Sequence, residues 1–328
     1  MKQMGAICAT LLLAVLDSTL SFASSPVTPD NVRLLREEVR IRVSLYPEDV
    51  LFLDDTRIVI ADGTARSLLW DLTAPTGTPP RDLAGMGAVL ALSADGSTLA
   101  CVTSGTVSLW TSDSFQKLAD LQTLSATPNP TAAFAPSGNL LAVTNQRDDI
   151  QMVDLTAGTL VATLTGHNSN LFDLAFSPDG RMLATAGGWS GSTTDADSCI
   201  KVWDVASGAL LATLPTIDLM DNHAMAFSPD SVRLFSGAAE GFAAWDTETW
   251  ARIHTSPGGS YGLAVSPDGR LLALASWEGV IRLVNLATMR TARDLGAPAT
   301  PLGVSFSPDG TRLAASFDDG TVIVWQMP

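Results

Sequence analysis

The stretch Phe176-Ser177-Pro178-Asp179-Gly180 decides the fold, because related stretches recur at regular intervals through most of the chain. Seven copies begin at residues 52, 92, 134, 176, 227, 265 and 306, and the first of them is the weakest match. Successive copies begin 38 to 42 residues apart, except for one interval of 51 residues. A period of about 40 residues is typical of supersecondary units that bury their apolar faces only against neighbouring units.

Each copy sits where a hairpin turn is expected. Proline fixes φ and the Asp-Gly pair supplies the positive-φ position of a tight turn between two apolar strands, the second of them at 182–186, 271–275 and 312–316. A third strand then ends in an aromatic or apolar residue followed by a polar one: Trp70-Asp71, Trp110-Thr111, Val153-Asp154, Trp203-Asp204, Trp245-Asp246, Val284-Asn285 and Trp325-Gln326. With a fourth, outer strand, each unit is predicted to be a four-stranded antiparallel blade.

These repeats resemble the WD-repeat β-propeller family over residues 38–328. The resemblance implies an all-β fold, a seven-bladed β-propeller of four-stranded antiparallel blades. In the fourth unit it also implies a structural relay of hydrogen bonds among His167, Thr185, Asp197 and Trp203. The family's ring-closing arrangement further implies that a strand from the N-terminal part completes the last blade.

The two ends of the sequence fit that ring closure. The last repeat carries no fourth strand after Trp325, so its outer edge needs a partner. Residues 39–43 (Val-Arg-Ile-Arg-Val) alternate apolar and charged side chains, and they are predicted to close the ring. Residues 24–37 are then expected to be a short tether.

Residues 1–23 differ from the rest and are expected to be a secretory signal peptide. Lys2 precedes an apolar run over 5–16, and the small residues Ser21 and Ala23 stand where signal peptidase needs them. The run is shorter than the roughly 20 residues that a membrane span needs, so no stable membrane insertion is expected after cleavage. The protein is therefore expected to be secreted or periplasmic. Cys101 and Cys199 remain in the mature chain, and their apolar surroundings favour two buried thiols, although a disulfide stays open.

Composition and motifs argue against several classes of function. Nineteen basic residues against 34 acidic ones give a net charge of −15, which opposes binding of nucleic acid. The G-x-S-x-G pattern at 258–262 is not followed by a helix and is interpreted as a glycine loop, and His254, on an outer strand, is expected to be solvated. The acidic run at 195–198 lacks the spacing of a calcium loop, and no zinc spacing occurs. No enzymatic activity, metal or cofactor is therefore expected.

A propeller-type hydrolase or lactonase, acting at the mouth of the central channel, remains the alternative. Such an enzyme would need recurrent acidic, histidine or amide residues at matching positions of the first strands. These strands are predicted to start at Ala88, Thr131, Leu171, His223, Gly262 and Leu302, which disfavours this alternative. A small-molecule or glycan-binding receptor also stays open.

The main functional prediction is a non-enzymatic scaffold that binds a protein or peptide partner as a monomer. The 51-residue unit has its extra residues between its second and third strands, and such insertions form loops that carry function. The resemblance places this loop and the connections into the first strands on one narrow face, which is the family's usual docking face. Partner-binding residues are predicted there: Asn168, Asn170, Phe172, Trp189, Asp195, His223, Tyr261 and Trp277. For Phe172 and Tyr261, packing between blades is an equal alternative.

Overall fold

Seven four-stranded sheets form a seven-bladed β-propeller, as the repeats predict. The computed structural model describes residues 25–43, 46–62, 66–75, 77–121, 131–145, 147, 149–168, 170–188, 199–215, 222–238 and 241–327. Within each sheet the neighbouring strands pair antiparallel, and the first strands of neighbouring blades contact one another around the central axis. The first strand of each blade is therefore the innermost one.

The first four blades follow the chain from the inner strand outward. Blade 1 contains β2 (Pro47–Phe52), β3 (Arg57–Asp62), β4 (Arg66–Asp71) and β5 (Arg81–Asp82). Blade 2 contains β6 (Ala88–Leu92), β7 (Thr98–Thr103), β8 (Thr106–Thr111) and β9 (Lys117–Asp120). Blade 3 contains β10 (Ala132–Phe134), β11 (Leu140–Thr144), β12 (Ile150–Asp154) and β13 (Thr159–Leu164). Blade 4 contains β14 (Leu171–Phe176), β15 (Met182–Gly187), β16 (Cys199–Asp204) and β17 (Leu210–Pro215).

The last three blades repeat this order, and the seventh takes its outer strand from the N-terminal part of the chain. Blade 5 contains β18 (Asn222–Phe227), β19 (Arg233–Ala238), β20 (Gly241–Asp246) and β21 (Arg252–Pro257). Blade 6 contains β22 (Ser260–Val265), β23 (Leu271–Ser276), β24 (Val280–Asn285) and β25 (Arg290–Gly296). Blade 7 contains β26 (Pro301–Phe306), β27 (Arg312–Phe317), β28 (Thr321–Gln326) and β1 (Arg36–Arg42).

The repeated Ser-x-Asp motif locks the turn between the first and second strands. In blade 4, the Ser177 hydroxyl donates to Asp179 at 2.6 Å and accepts the backbone N–H of Met182 at 2.9 Å. The same serine-to-aspartate bond, also at 2.6 Å, occurs in four other blades: Ser93–Asp95, Ser228–Asp230, Ser266–Asp268 and Ser307–Asp309. Gly180 adopts φ +72°, the left-handed conformation that the Asp-Gly pair predicts.

The hydrophobic core lies between blades rather than within them. All six residues of β23 are buried, because one sheet covers each of its faces. One buried cluster joins Phe52, Ile58 and Trp70 of blade 1 to Ala314 and Val324 of blade 7. Each blade therefore depends on its two neighbours, and an open ring would expose two apolar sheet faces.

Ring closure occurs through β1, as predicted. This strand pairs antiparallel with β28 along six residue pairs, including Val39 with Val324 and Ile41 with Val322. The strand begins at Arg36 rather than at residue 38, because the pairing extends to Gln326 across a bulge between Glu37 and Val39.

The segment before β1 is a packed part of the fold rather than a simple spacer. A short 3-10 helix spans Val32–Leu34, and Val27, Val32 and Leu35 are each about 1% exposed against the cluster of blades 6 and 7. The Arg293 guanidinium donates to the carbonyl oxygens of Val32 and Leu35, each at 2.8 Å. Residues 25–35 carry no repeat motif, so the sequence pattern does not reveal this packing.

Candidate partner-binding face

One narrow face of the ring collects the loops that the sequence singled out. The start of β14 pairs with the end of β15, through Leu171 and Gly187, and the other blades follow the same antiparallel order. The connections into the first strands and the turns between second and third strands therefore lie at the same end of every blade. We call this end the top face; it carries 165–168, 258–259, 277–279 and 318–320 among the described residues.

Two predicted aromatic residues form an exposed stack on the top face. The rings of Tyr261 and Trp277 lie 4.8 Å apart between centroids with an interplanar angle of 29°. The backbone N–H of Trp277 donates to the carbonyl oxygen of Gly259 at 3.0 Å, which fixes the turn beside the strand that carries Tyr261. Even so, Tyr261 is 36% and Trp277 40% exposed. The structure therefore places Tyr261 on the surface rather than deep between blades.

The other predicted positions are described to different extents. Phe172, on β14, is 39% exposed, and Asn168 and Asn170 are exposed in the connection into blade 4. Trp189 and Asp195 lie outside the described residues, as does the inserted loop. His223 lies on β18 rather than ahead of it, and its side-chain placement is not described.

Tyr46 belongs to the same face and was missed by sequence reasoning. It precedes β2 and is 51% exposed. Partial burial raises the pKa of its phenol, and the charges of Asp318 and Glu48 and the phenol of Tyr261 raise that pKa further. Tyr46 therefore lies near groups from blades 6 and 7. Its position immediately before a first strand could have indicated this face, but blade 1 has the weakest repeat.

In blade 4, hydrogen bonds converge on the Thr185 hydroxyl. It lies 2.7 Å from Nε2 of His167, accepts the indole N–H of Trp203 at 3.0 Å and donates to the carbonyl oxygen of Lys201 at 3.2 Å. Asp197, the fourth predicted member, lies outside the described residues. Blade 5 keeps part of this arrangement, since Trp245 donates to Ser236 at 3.2 Å.

Comparison with known proteins supports a WD-repeat β-propeller. The family model described as "WD domain, G-beta repeat" matches residues 158–204 and 295–326, that is, parts of blades 3 and 4 and of blades 6 and 7. Together with WD-repeat relatives, these matches support the WD-repeat β-propeller family for this chain. The matched range 158–204 includes His167, Thr185 and Trp203.

Several WD-repeat proteins are similar to this chain. Apoptotic protease-activating factor 1 of Danio rerio is 25% identical over 243 residues, covering 71% of this chain and 18% of that protein. WD repeat-containing protein SL1-17 of Schistosoma mansoni is 33% identical over 167 residues, covering 49% and 52%. Small ribosomal subunit protein RACK1 of Brassica napus is 26% identical over 166 residues, covering 51% and 42%. The chain thus spans between about a fifth and about half of these relatives.

Two carboxylates lie on the inner strands of blades 1 and 4, and sequence reasoning missed them. Asp49 and Asp173 each stand three residues before the phenylalanine that ends an inner strand, Phe52 or Phe176. The strand starts compared in the sequence are not equivalent positions, because bulges shift the pairing ahead of both aspartates. The comparison of the predicted strand starts was therefore wrong, since two of the seven equivalent inner-strand positions carry an acidic residue.

Enclosure by the ring changes the acidity of both groups. Burial raises the pKa of Asp173 to about 7; the N–H groups of Met225 and Leu174, which donate to its carboxylate, oppose the rise, and the charge of Asp49 adds to it. Burial also raises the pKa of Asp49 to about 6, against the opposing effect of the Val50 N–H, which donates to its carboxylate. The charge of Asp49, on the inner strand of blade 1, therefore reaches Asp173, on the inner strand of blade 4.

Other candidate chemical groups are buried or outside the described part. Ser260, in the G-x-S-x-G pattern, is 0% exposed and lies against Gly237, so it is not an accessible nucleophile. The solvated position expected for His254 is wrong for Nε2, which is buried, with the ring 5.5 Å from that of Phe242 between centroids. Across the described ranges, no three His, Cys, Asp or Glu side chains are placed to hold a metal ion.

The cysteines are two buried free thiols, as the apolar pattern predicts. Burial raises the pKa of the Cys101 thiol to about 12. The thiol of Cys199 accepts a hydrogen bond from the Lys201 ammonium at 3.1 Å, and both residues are buried. The disulfide that the sequence left open is therefore not formed.

Removing the Thr185 hydroxyl tests the relay. Thr185→Val keeps the side-chain shape but withdraws a partner from His167 and from Trp203, so the free energy of unfolding should fall by about 2 kcal/mol or more. Thr163→Val, on the exposed outer strand of blade 3, should change it by less than about 0.5 kcal/mol. Urea denaturation measures both, and equal losses would contradict the assignment.

The channel aspartates should give stability a particular pH dependence. Their folded pKa values exceed the unfolded value of about 4, so the folded state binds more protons than the unfolded state between about pH 4 and 7. These two groups therefore lower the free energy of unfolding as pH rises through that window. The difference in melting temperature between Asp173→Asn and wild type should therefore become more positive from pH 4 to pH 7. The corresponding change should be smaller for Asp49→Asn. Parallel curves for wild type and both variants would refute this.

Proposed function

We propose that this protein is a non-enzymatic interaction scaffold whose top face binds a protein or peptide partner. Its WD-repeat relatives suggest protein-interaction scaffolding in general, and one of them is named as a ribosomal subunit protein. The observation that carries the proposal is the exposed stack of Tyr261 and Trp277. Large aromatic side chains bury much area at low entropic cost and dominate binding hot spots.

The rigidity of the ring supports this use of the stack. Both aromatic residues are attached to blade 6, where every residue of β23 is buried. A partner can therefore bind without ordering the underlying backbone, which reduces the entropic cost of association. Phe172, Asn168 and Asn170, on blade 4, extend the same face to the other side of the ring.

The alternatives receive less support from the described residues. Two cavities have volumes of about 270 and 50 Å³, below the roughly 300 to 1,000 Å³ of typical small-molecule sites. A channel hydrolase could use Asp49 and Asp173. However, the other five equivalent inner-strand positions carry no acidic residue, so a larger set of catalytic carboxylates does not form there. Turnover of lactones or peptides by the purified protein would contradict the non-enzymatic proposal.

Export from the cytoplasm is part of the proposal. The support is the charged, apolar and small-residue pattern of residues 1–23. In the described part of the chain, no helix has the length and apolar character needed to cross a bilayer. Mass spectrometry of the N-terminal peptide from expressing cells should find a chain that begins at Ser24, whereas one that keeps residues 1–23 would contradict cleavage.

Affinity capture from the extracytoplasmic fraction tests the top face. The double variant Tyr261→Ala with Trp277→Ala should lose a partner that the wild type retains, because the substitution removes the exposed stack. The matched control is Leu210→Ala with Leu211→Ala, which removes side chains that are 48% and 47% exposed on an outer strand. This control should retain the partner.

A partner retained by the aromatic variant, or lost equally by both variants, would refute binding at this face. Near-identical melting temperatures for the two variants would show that neither result comes from unfolding. The purified protein partner should then bind the wild-type protein directly, in an assay that contains only these two components.

A further inference from the structure

The top face has an aromatic and acidic patch that spans three consecutive blades. Tyr261 and Trp277 come from blade 6, Asp318 from the turn between the second and third strands of blade 7, and Tyr46 and Glu48 from the start of blade 1. All five are exposed. Blades 6, 7 and 1 are neighbours, because the first strand of blade 7 packs against the first strands of blades 6 and 1. The effect of Asp318, Tyr261 and Glu48 on the pKa of the Tyr46 phenol agrees with this arrangement.

The charges around the three rings are predominantly negative. The Asp318 carboxylate accepts the backbone N–H of Thr300 at 3.1 Å and forms no ion pair with any residue that the structure describes. Its neighbour Asp319 lies 3.9 Å from Arg42, and Glu278, next to Trp277, pairs with Arg282 at 2.7 Å. Arg42 and Arg282 are therefore already paired with carboxylates.

We propose that this patch binds an arginine or lysine side chain of the partner, between the aromatic rings and the Asp318 and Glu48 carboxylates. The inference rests on the proposed function and specifies the chemistry of its partner. The faces of Trp and Tyr rings attract cations, and their apolar area accommodates the hydrocarbon stem of a long basic side chain. An anionic partner would meet like charges, both here and from the net charge of −15.

The chain already uses the same pairing within itself. The Arg252 guanidinium lies 5.6 Å from the ring centroid of Trp245, and the Lys117 ammonium lies 5.8 Å from that of Trp110. An entirely apolar partner would gain from the rings but would also desolvate the Asp318 carboxylate without compensation. Charge complementarity therefore favours a basic segment over an apolar one.

Short peptides test the proposal without knowledge of the natural partner. The probes are capped Gly-Ala-X-Ala-Gly peptides in which X is arginine, lysine, citrulline, leucine or glutamate, titrated against the full chain at about 150 mM salt. The readout is the indole N–H resonance of Trp277, assigned through Trp277→Phe. Arginine and lysine should bind at least about fivefold more tightly than citrulline, which keeps the shape of arginine without its charge.

Matched variants separate the patch from the general negative charge. Asp318→Asn should weaken arginine binding, whereas Asp113→Asn makes the same charge change in an exposed turn on the opposite face and should not. Tyr46→Ala should also weaken binding without changing the charge. Citrulline or leucine binding as tightly as arginine would overturn the proposal and assign the patch to an uncharged or apolar partner.

The captured partner distinguishes failure of this inference from failure of the proposed function. If the partner is lost by the Tyr261→Ala, Trp277→Ala variant but binds Asp318→Asn and Glu48→Gln as tightly as wild type, the face binds a partner and the cationic inference is wrong. If the aromatic variant keeps the partner, the proposed function itself is wrong.

Discussion

The pairing of β1 with β28 is the constraint on which the whole structure depends. Each sheet is apolar on both faces, so seven blades are stable only when every blade has two neighbours. Blade 7 receives its outer strand from residues 36–42, and the preceding segment packs Val27, Val32 and Leu35 against blades 6 and 7. The chain therefore closes its ring by hydrogen bonds and by apolar packing at the same joint.

The functional face depends on the same closure. Trp277 and Asp318 come from blades 6 and 7, whereas Tyr46 follows the closing strand, so the aromatic and acidic patch exists only when blades 7 and 1 meet. On the other side of the ring, the Thr185 hydroxyl joins His167, in the connection into blade 4, to Trp203 of its third strand. On both sides of the ring, the shape of the top face therefore depends on contacts between a loop and a β-sheet.

The sequence predicts the structural elements that repeat in every blade, but it does not reveal features that occur only once. The recurring Ser-Pro-Asp-Gly stretch reveals the blades because its copies make the same turn, and five of them make the same bond from serine to aspartate. The packing of residues 25–35 has no repeat to indicate it. Asp49 and Asp173 escaped notice because a bulge changes which residues are equivalent, and Tyr46 because blade 1 has the weakest motif. The exposure of Trp277 followed from its place in a turn, whereas packing between blades was an equal alternative for Tyr261. Trp189, Asp195 and Asp197 stay predictions.

Calorimetry of a chain that lacks residues 1–43 tests the central claim most directly. Without β1, the outer edge of β28 and the apolar face beside Val322 and Val324 lose their cover. The account predicts that the shortened chain unfolds at a much lower temperature than the full chain, and that a synthetic peptide of residues 25–43 restores the transition. An unfolding temperature and enthalpy equal to those of the full chain would contradict ring closure as the basis of the fold.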